Sequence, residues 1–232
     1  MALRPVFIAI DEYPYVKEEM IDFDWHKGMA ASQKQKSVRS LHKAANEQFE
    51  DLNILEISTK SENVLGVKLS AFNLQIKLKS GHKVPLENIF QASKVFDNGG
   101  PYKDFLSIPT HEVKRDNRLL ESGHLIGYSC KGKMWPLTPK TIFYDWLYLN
   151  ALYLHEYLVC EVSQYNAFTD IEFNPKKSIN CQARSAALFV SLTRNGLLKQ
   201  FLSSSDEFIH QFTLTLTHNE PKQTDFFSQY EK

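Results

Sequence analysis

The chain has 232 residues, 27 Lys+Arg against 27 Asp+Glu, and a 43% hydrophobic content that includes 16 Phe and 10 Tyr. This suits one folded domain with its own core, or at most two small ones, and the zero formal charge excludes both a polycation that coats nucleic acid indiscriminately and an acidic solvating tail. Three cysteines without a CxxC pair, Cys130, Cys160 and Cys181, exclude a disulfide framework and a zinc knuckle and suit the reduced thiols of a cytoplasmic protein.

Along the chain, Val6 to Ile10 is a short β-prone run, and 30–49 has the period of an amphipathic helix with Val38, Leu41 and Ala45 inward. Residues 54–58 read as a strand, and 69–78 as another that enters a hairpin or loop at Ser80-Gly81. A helix is expected from Pro85, where a missing N–H costs nothing, to Phe96, ended by the breaker cluster Asp97-Asn98-Gly99-Gly100-Pro101. A further helix is expected over 110–120. The longest helix, 140–162, is expected to start at a Thr138-Pro139 cap. It is the most apolar stretch, but Asp145, Asn150, His155 and Glu156 make it too polar for a membrane span, and the N-terminus lacks a signal-peptide core. Residues 168–173 read as a short strand or extended segment, 181–195 as a helix closed by Gly196, and Phe212 to Thr217 alternates like a half-buried strand. The class is α+β and helix-rich with a few short strands. No repeat or linker divides the chain, so it is expected to be one domain over 1–232, with a core at about 52–198.

Four patterns can carry chemistry, and each also suits an ordinary solvated face or loop. Glu87, Gln91 and Lys94 fall at i, i+4 and i+7, in line on the expected helix. Asp170 and Glu172, two apart, share one face if the segment is a strand, and paired carboxyls can serve as acid and base. Lys176, Lys177 and Asn180 precede a helix start, where unpaired N–H groups attract phosphate. Lys36, Arg39 and Lys43 share a face in a window, 25–46, free of acids, and such a strip could hold a nucleic-acid backbone. Neither a metal-ligand spacing nor a cofactor motif is present, and no cofactor is expected.

The strings Leu69-Ser70-Ala71-Phe72, Ser80-Gly81-His82-Lys83-Val84-Pro85-Leu86-Glu87 and Phe90-Gln91-Ala92-Ser93-Lys94-Val95-Phe96 resemble the NADAR (YbiA-like) family. Ser70, Phe72, Glu87, Gln91 and Lys94 match its pattern, while Ala71 replaces its Asn and Asn88 its usual His. The family's C-terminal Trp-Gly pair is absent. The segment 168–185, together with 143–148 and 32–37, is more similar to the branch paired with DarT-type DNA ADP-ribosyltransferase toxins.

This resemblance implies a YbiA-like fold and an N-glycosidase that removes ADP-ribose from guanine bases in DNA, the antitoxin to a toxin on a separate chain. The implied partners are ADP-ribosylated DNA or guanosine and ADP-ribose, with no membrane involved. Glu87 is expected as acid/base, Asp170 (or Glu172) as the carboxylate that activates water or stabilises the cation, and Lys94 as the group that orders Glu87 or attacks an opened ribose. Ser70, Phe72, Gln91, Glu172, Lys176, Lys177 and Asn180 are the expected substrate contacts, Phe72 as a stacking platform. Lys36, Arg39 and Lys43 are the expected DNA contacts. Two other functions fit the same residues: an N-glycosidase for a free nucleotide of the riboflavin-precursor type, and a non-catalytic ADP-ribose sensor.

Overall fold

A computed structural model describes residues 1–176 and 178–218, with side chains up to 213. Lys177 therefore lies outside the described residues. In chain order the elements are β1 (Ala2–Ala9), β2 (Val16–Phe23), α1 (Ala31–Gln48), β3 (Ile54–Glu56), α2 (Val64–Lys68), β4 (Gln75–Lys77), β5 (Lys83–Pro85), α3 (Leu86–Ala92), β6 (Lys94–Phe96), α4 (Thr110–Val113), α5 (Arg118–Glu121), β7 (Leu125–Cys130), β8 (Lys133–Trp135), α6 (Ile142–Tyr153), α7 (Glu156–Val162), β9 (Ala167–Thr169), α8 (Gln182–Arg194), α9 (Leu198–Phe201) and α10 (Ser205–His218). The class is α+β.

The largest sheet has the order β2-β1-β9-β3, with β3 and β9 parallel and the other pairs antiparallel. Alternation along its strands sorts side chains to two faces. Val6, Ile21 and Ala167 pack under α1 against Val38, Leu41 and Ala45. Phe7, Leu55 and Phe168 point the other way, into a larger core built on α6 and α8. Those two helices are tied by Asp145, whose Oδ1 accepts from Ser185 Oγ at 2.6 Å and whose Oδ2 pairs with Arg184. Gly66 lets α2 press onto β3: a Cβ there would run into the Glu56 carbonyl and the Ser61 hydroxyl.

Several expectations are corrected. The segment 69–78 is a strand only at Gln75–Lys77. Residues 69–74 form a turn, pinned by Tyr148 Oη donating to the Leu69 carbonyl at 2.9 Å. Pro85 ends β5 and caps α3 rather than opening it, and α3 stops at Ala92. Beyond it Ser129 N–H donates to the Ser93 carbonyl at 2.7 Å, and the chain peels away to pair with β7. The helix over 110–120 is two short helices, split where the Asp116 carboxylate accepts from the Arg118 backbone N–H. The long helix begins at Ile142 without the Thr138 cap, and breaks at His155, whose Nε2 meets the Gln75 carbonyl at 2.9 Å.

Two more corrections concern strands. The strand at 168–173 ends at Thr169, because Asp170 Oδ1 accepts from the Glu172 and Phe173 N–H groups and turns the chain. The alternating 212–217 segment is helical in α10. Ser204 Oγ accepts from Glu207 N–H at its start, and Phe208 and Phe212 meet at helical spacing, 4.9 Å between rings.

Candidate functional site

A cavity of about 580 Å³ opens between α3, the turn at 69–74, Lys114, β7 and the loop from β9 to α8. The backbone of Ala71 joins its two sides. Its carbonyl accepts from Glu87 N–H at 3.0 Å and its N–H donates to Gln182 Oε1 at 2.7 Å. Gln182, the first residue of α8, spends its Nε2 on the Ile57 carbonyl (2.7 Å) and on Asp170 Oδ2 (2.9 Å). Glu87 and Asp170 thus reach the same cavity on supports that share one turn.

The two carboxyls sit in opposite settings. Glu87 Oε1 accepts from Gln91 Nε2 at 3.0 Å and lies 4.0 Å from Lys114 Nζ. Lys94 also faces it. Burial pulls the Lys94 ammonium below its ordinary range, Glu87 resists this, and Lys114 adds to it. Asp170 is different. Burial is the largest influence and the nearby Glu56 carboxylate the next, and together they overcome three N–H donors and push Asp170 up to about 8. Glu56 is itself buried, held by Thr169 Oγ1 (2.6 Å) and Ile171 N–H (2.9 Å), and burial raises it too. Behind it, His42 Nε2 meets Thr169 Oγ1 at 2.8 Å, and burial lowers that imidazole to about 4.

Of the expected site residues, Phe72, Glu87, Gln91, Lys94, Asp170, Glu172 and Asn180 line this cavity. Lys94 does so from the first position of β6 rather than from the helix, and Asp170 and Glu172 from a turn rather than a strand face. Glu172 sits at the rim, in an ion pair with Lys34 of 3.1 Å. Ser70 is fully buried, donates to the Val67 carbonyl and does not line the cavity. Lys176 is exposed and also lies outside the lining. Lys36, Arg39 and Lys43 are exposed on α1, where Arg39 pairs with Glu62 and Lys43 with Glu47.

The motif pattern does not point to Lys114, Gln182, Glu56 or Tyr128. Lys114 Nζ stands 4.8 Å over the Phe72 ring, a position set by Asn88. That side chain holds the Phe105 and Ile108 carbonyls and accepts from Thr110 Oγ1, which fixes the start of α4. Glu56 carries a signal as an acid inside the apolar run Ile54 to Ile57, and Gln182 lies within the 168–185 segment.

A model of the DarT1-associated NADAR antitoxin family matches residues 2–222. The chain belongs to this family. No curated protein matches it. Within this NADAR antitoxin the cavity gathers the Glu87, Gln91 and Lys94 of the family-like motif with Asp170 and Asn180 of the branch-like segment, so both stretches that carry the resemblance meet at one site. Among the described residues no helix is long and apolar enough to cross a membrane.

Proposed function

We propose that this antitoxin is an N-glycosidase that removes ADP-ribose from guanine bases in DNA, reversing the modification made by a toxin on a separate chain. The observation that carries this reading is the pair of carboxyls in opposite electrostatic settings within one cavity, Asp170 raised and Glu87 facing ammonium groups. Cleavage of a bond between an anomeric carbon and a base nitrogen builds positive charge on the sugar and negative charge on the base. It therefore needs a proton donor and a carboxylate together.

These settings favour a division of labour opposite to the one that the motif alone suggests. Asp170 holds a proton at neutral pH and gives it to the departing guanine nitrogen. Glu87, between Gln91 and Lys114, takes a proton from the water that attacks the anomeric carbon. The products are ADP-ribose and unmodified guanine, and solvent returns the two carboxyls to their starting states. Lys94 and Lys114 are the cations available to the diphosphate, and Phe72 under Lys114 is an apolar ring at the mouth.

The experiment is incubation of the purified chain with an oligonucleotide ADP-ribosylated on guanine. Release of ADP-ribose with restored guanine is expected. Release from a free modified nucleotide but not from DNA would move the reading to a small-molecule glycosidase. Binding of ADP-ribose without release would move it to a sensor.

A further inference from the structure

The cavity contains two side-chain oxygens that are buried and have no hydrogen-bond partner among the described residues, Gln91 Oε1 and Asn180 Oδ1. The Gln91 amide is not free to turn. Glu87 offers only acceptors when ionised, so Gln91 must present its NH2 to it, as the 3.0 Å bond shows, and its oxygen is left facing elsewhere. Asn180 Oδ1 lies in the same lining as Tyr128 and is likewise buried without a partner. Gln91 is buried to more than nine-tenths, its relative exposure being 8%. A buried acceptor without a protein partner is costly, and one that faces a cavity is met by a donor from whatever fills that cavity.

We propose that Gln91 and Asn180 form a pair of buried acceptors that select a ligand with neutral hydrogen-bond donors beside the reacting bond, and that reject a ligand with acceptors there. This rests on the proposed function and sharpens it by naming what the site reads. A ribose diol and the N–H edge of guanine both offer such donors, and substrate analogues tell them apart.

The test measures binding by titration calorimetry for two probe pairs, ADP-ribose against its 2-deoxyribosyl analogue, and deoxyguanosine against 1-methyldeoxyguanosine. Wild-type protein is expected to favour the donor-bearing member of at least one pair by about tenfold, the effect of one buried hydrogen bond. Gln91→Met or Asn180→Leu is expected to erase that preference. Discrimination in the first pair identifies the diol as the source, and in the second the base edge. Wild-type protein that binds without discriminating, or variants that keep the preference, would overturn the inference and leave the proposed function standing. Wild-type protein that binds none of the four probes would overturn both. Since the wild-type measurement alone can decide against the inference, a variant that fails to fold does not shield it.

Discussion

The two ends of the cavity place a carboxyl in contrasting surroundings. At the α3 end, Glu87 faces Lys114 and Lys94 and accepts an amide N–H. At the α8 end, Asp170 has no cation within ion-pair distance among the described residues and has a second buried carboxyl behind it, so it is raised although three N–H groups point at it. The difference teaches that desolvation and a like charge can outweigh hydrogen bonds that favour the ion, and that one cleft can hold an acid and a base from the same residue class. The sharpest way to break this comparison is to neutralise each end. Asp170→Asn and Glu87→Gln are each expected to lower the rate of ADP-ribose release by about 10²- to 10⁴-fold, the range for loss of a general acid or base. Either variant at wild-type turnover would remove that residue from its role.

How much of this was legible beforehand follows from which forces are local. The i, i+4 relation of Glu87 and Gln91 survives because α3 is helical there, and α1 and α8 run within a residue or two of their expected bounds, marked by clear periodicity and by Gly196. Elements set by distant contacts were not readable. β6 exists because Ser93 and Lys94 pair with β7, and the break at His155 because that ring reaches Gln75. Neither carries a Gly or Pro. In α10 six alternating residues imitated a strand, whereas the cap at Ser204 and the ring pair Phe208–Phe212 decided for a helix. At the site, Asp170 and Glu172 were found by type but misplaced by geometry, since a turn made by the Asp170 side chain itself separates them. Glu56 stands out in the sequence only as an acid inside an apolar run, and its place beside the site is set by distant partners, Thr169 and Ile171.

The comparison can be sharpened through Glu56, which is not itself among the residues that line the cavity. With Asp170 as proton donor, activity is present below about pH 8 and falls as pH rises through that value. Glu56→Gln removes the neighbouring charge, so Asp170 releases its proton more readily and the alkaline limb of the pH–rate profile is expected to move to lower pH. Stability provides a second readout. Both carboxyls are raised in the folded chain, which therefore holds more protons than the unfolded chain above the ordinary carboxylate range. Stability then declines as pH climbs from that range toward 8. Chemical denaturation across that window should show a shallower decline for Glu56→Gln. An alkaline limb that stays in place would separate Asp170 from Glu56 and undo the account of why the two ends differ.

The smallest effect is expected outside the cavity, on α1. Lys36, Arg39 and Lys43 form the strip expected to hold DNA, but Arg39 is already committed to Glu62 and Lys43 to Glu47, while Lys36 has no ion-pair partner among the described residues. A cation that must leave a carboxylate to reach a phosphate gains less than a free one. In binding measurements with modified single-stranded DNA over a range of salt, Lys36→Ala should flatten the dependence of log affinity on log salt by about 0.7, one phosphate contact on a single strand. Arg39→Ala and Lys43→Ala should flatten it by less. Because this term is independent of the two carboxyls, the Glu56→Gln variant should keep the wild-type salt slope while its pH profile moves. A salt slope that Lys36→Ala leaves untouched would place the DNA path elsewhere. The nearest alternative is the rim where Lys34 pairs with Glu172 and stands 4.7 Å over Trp25, since that cluster borders the cavity directly.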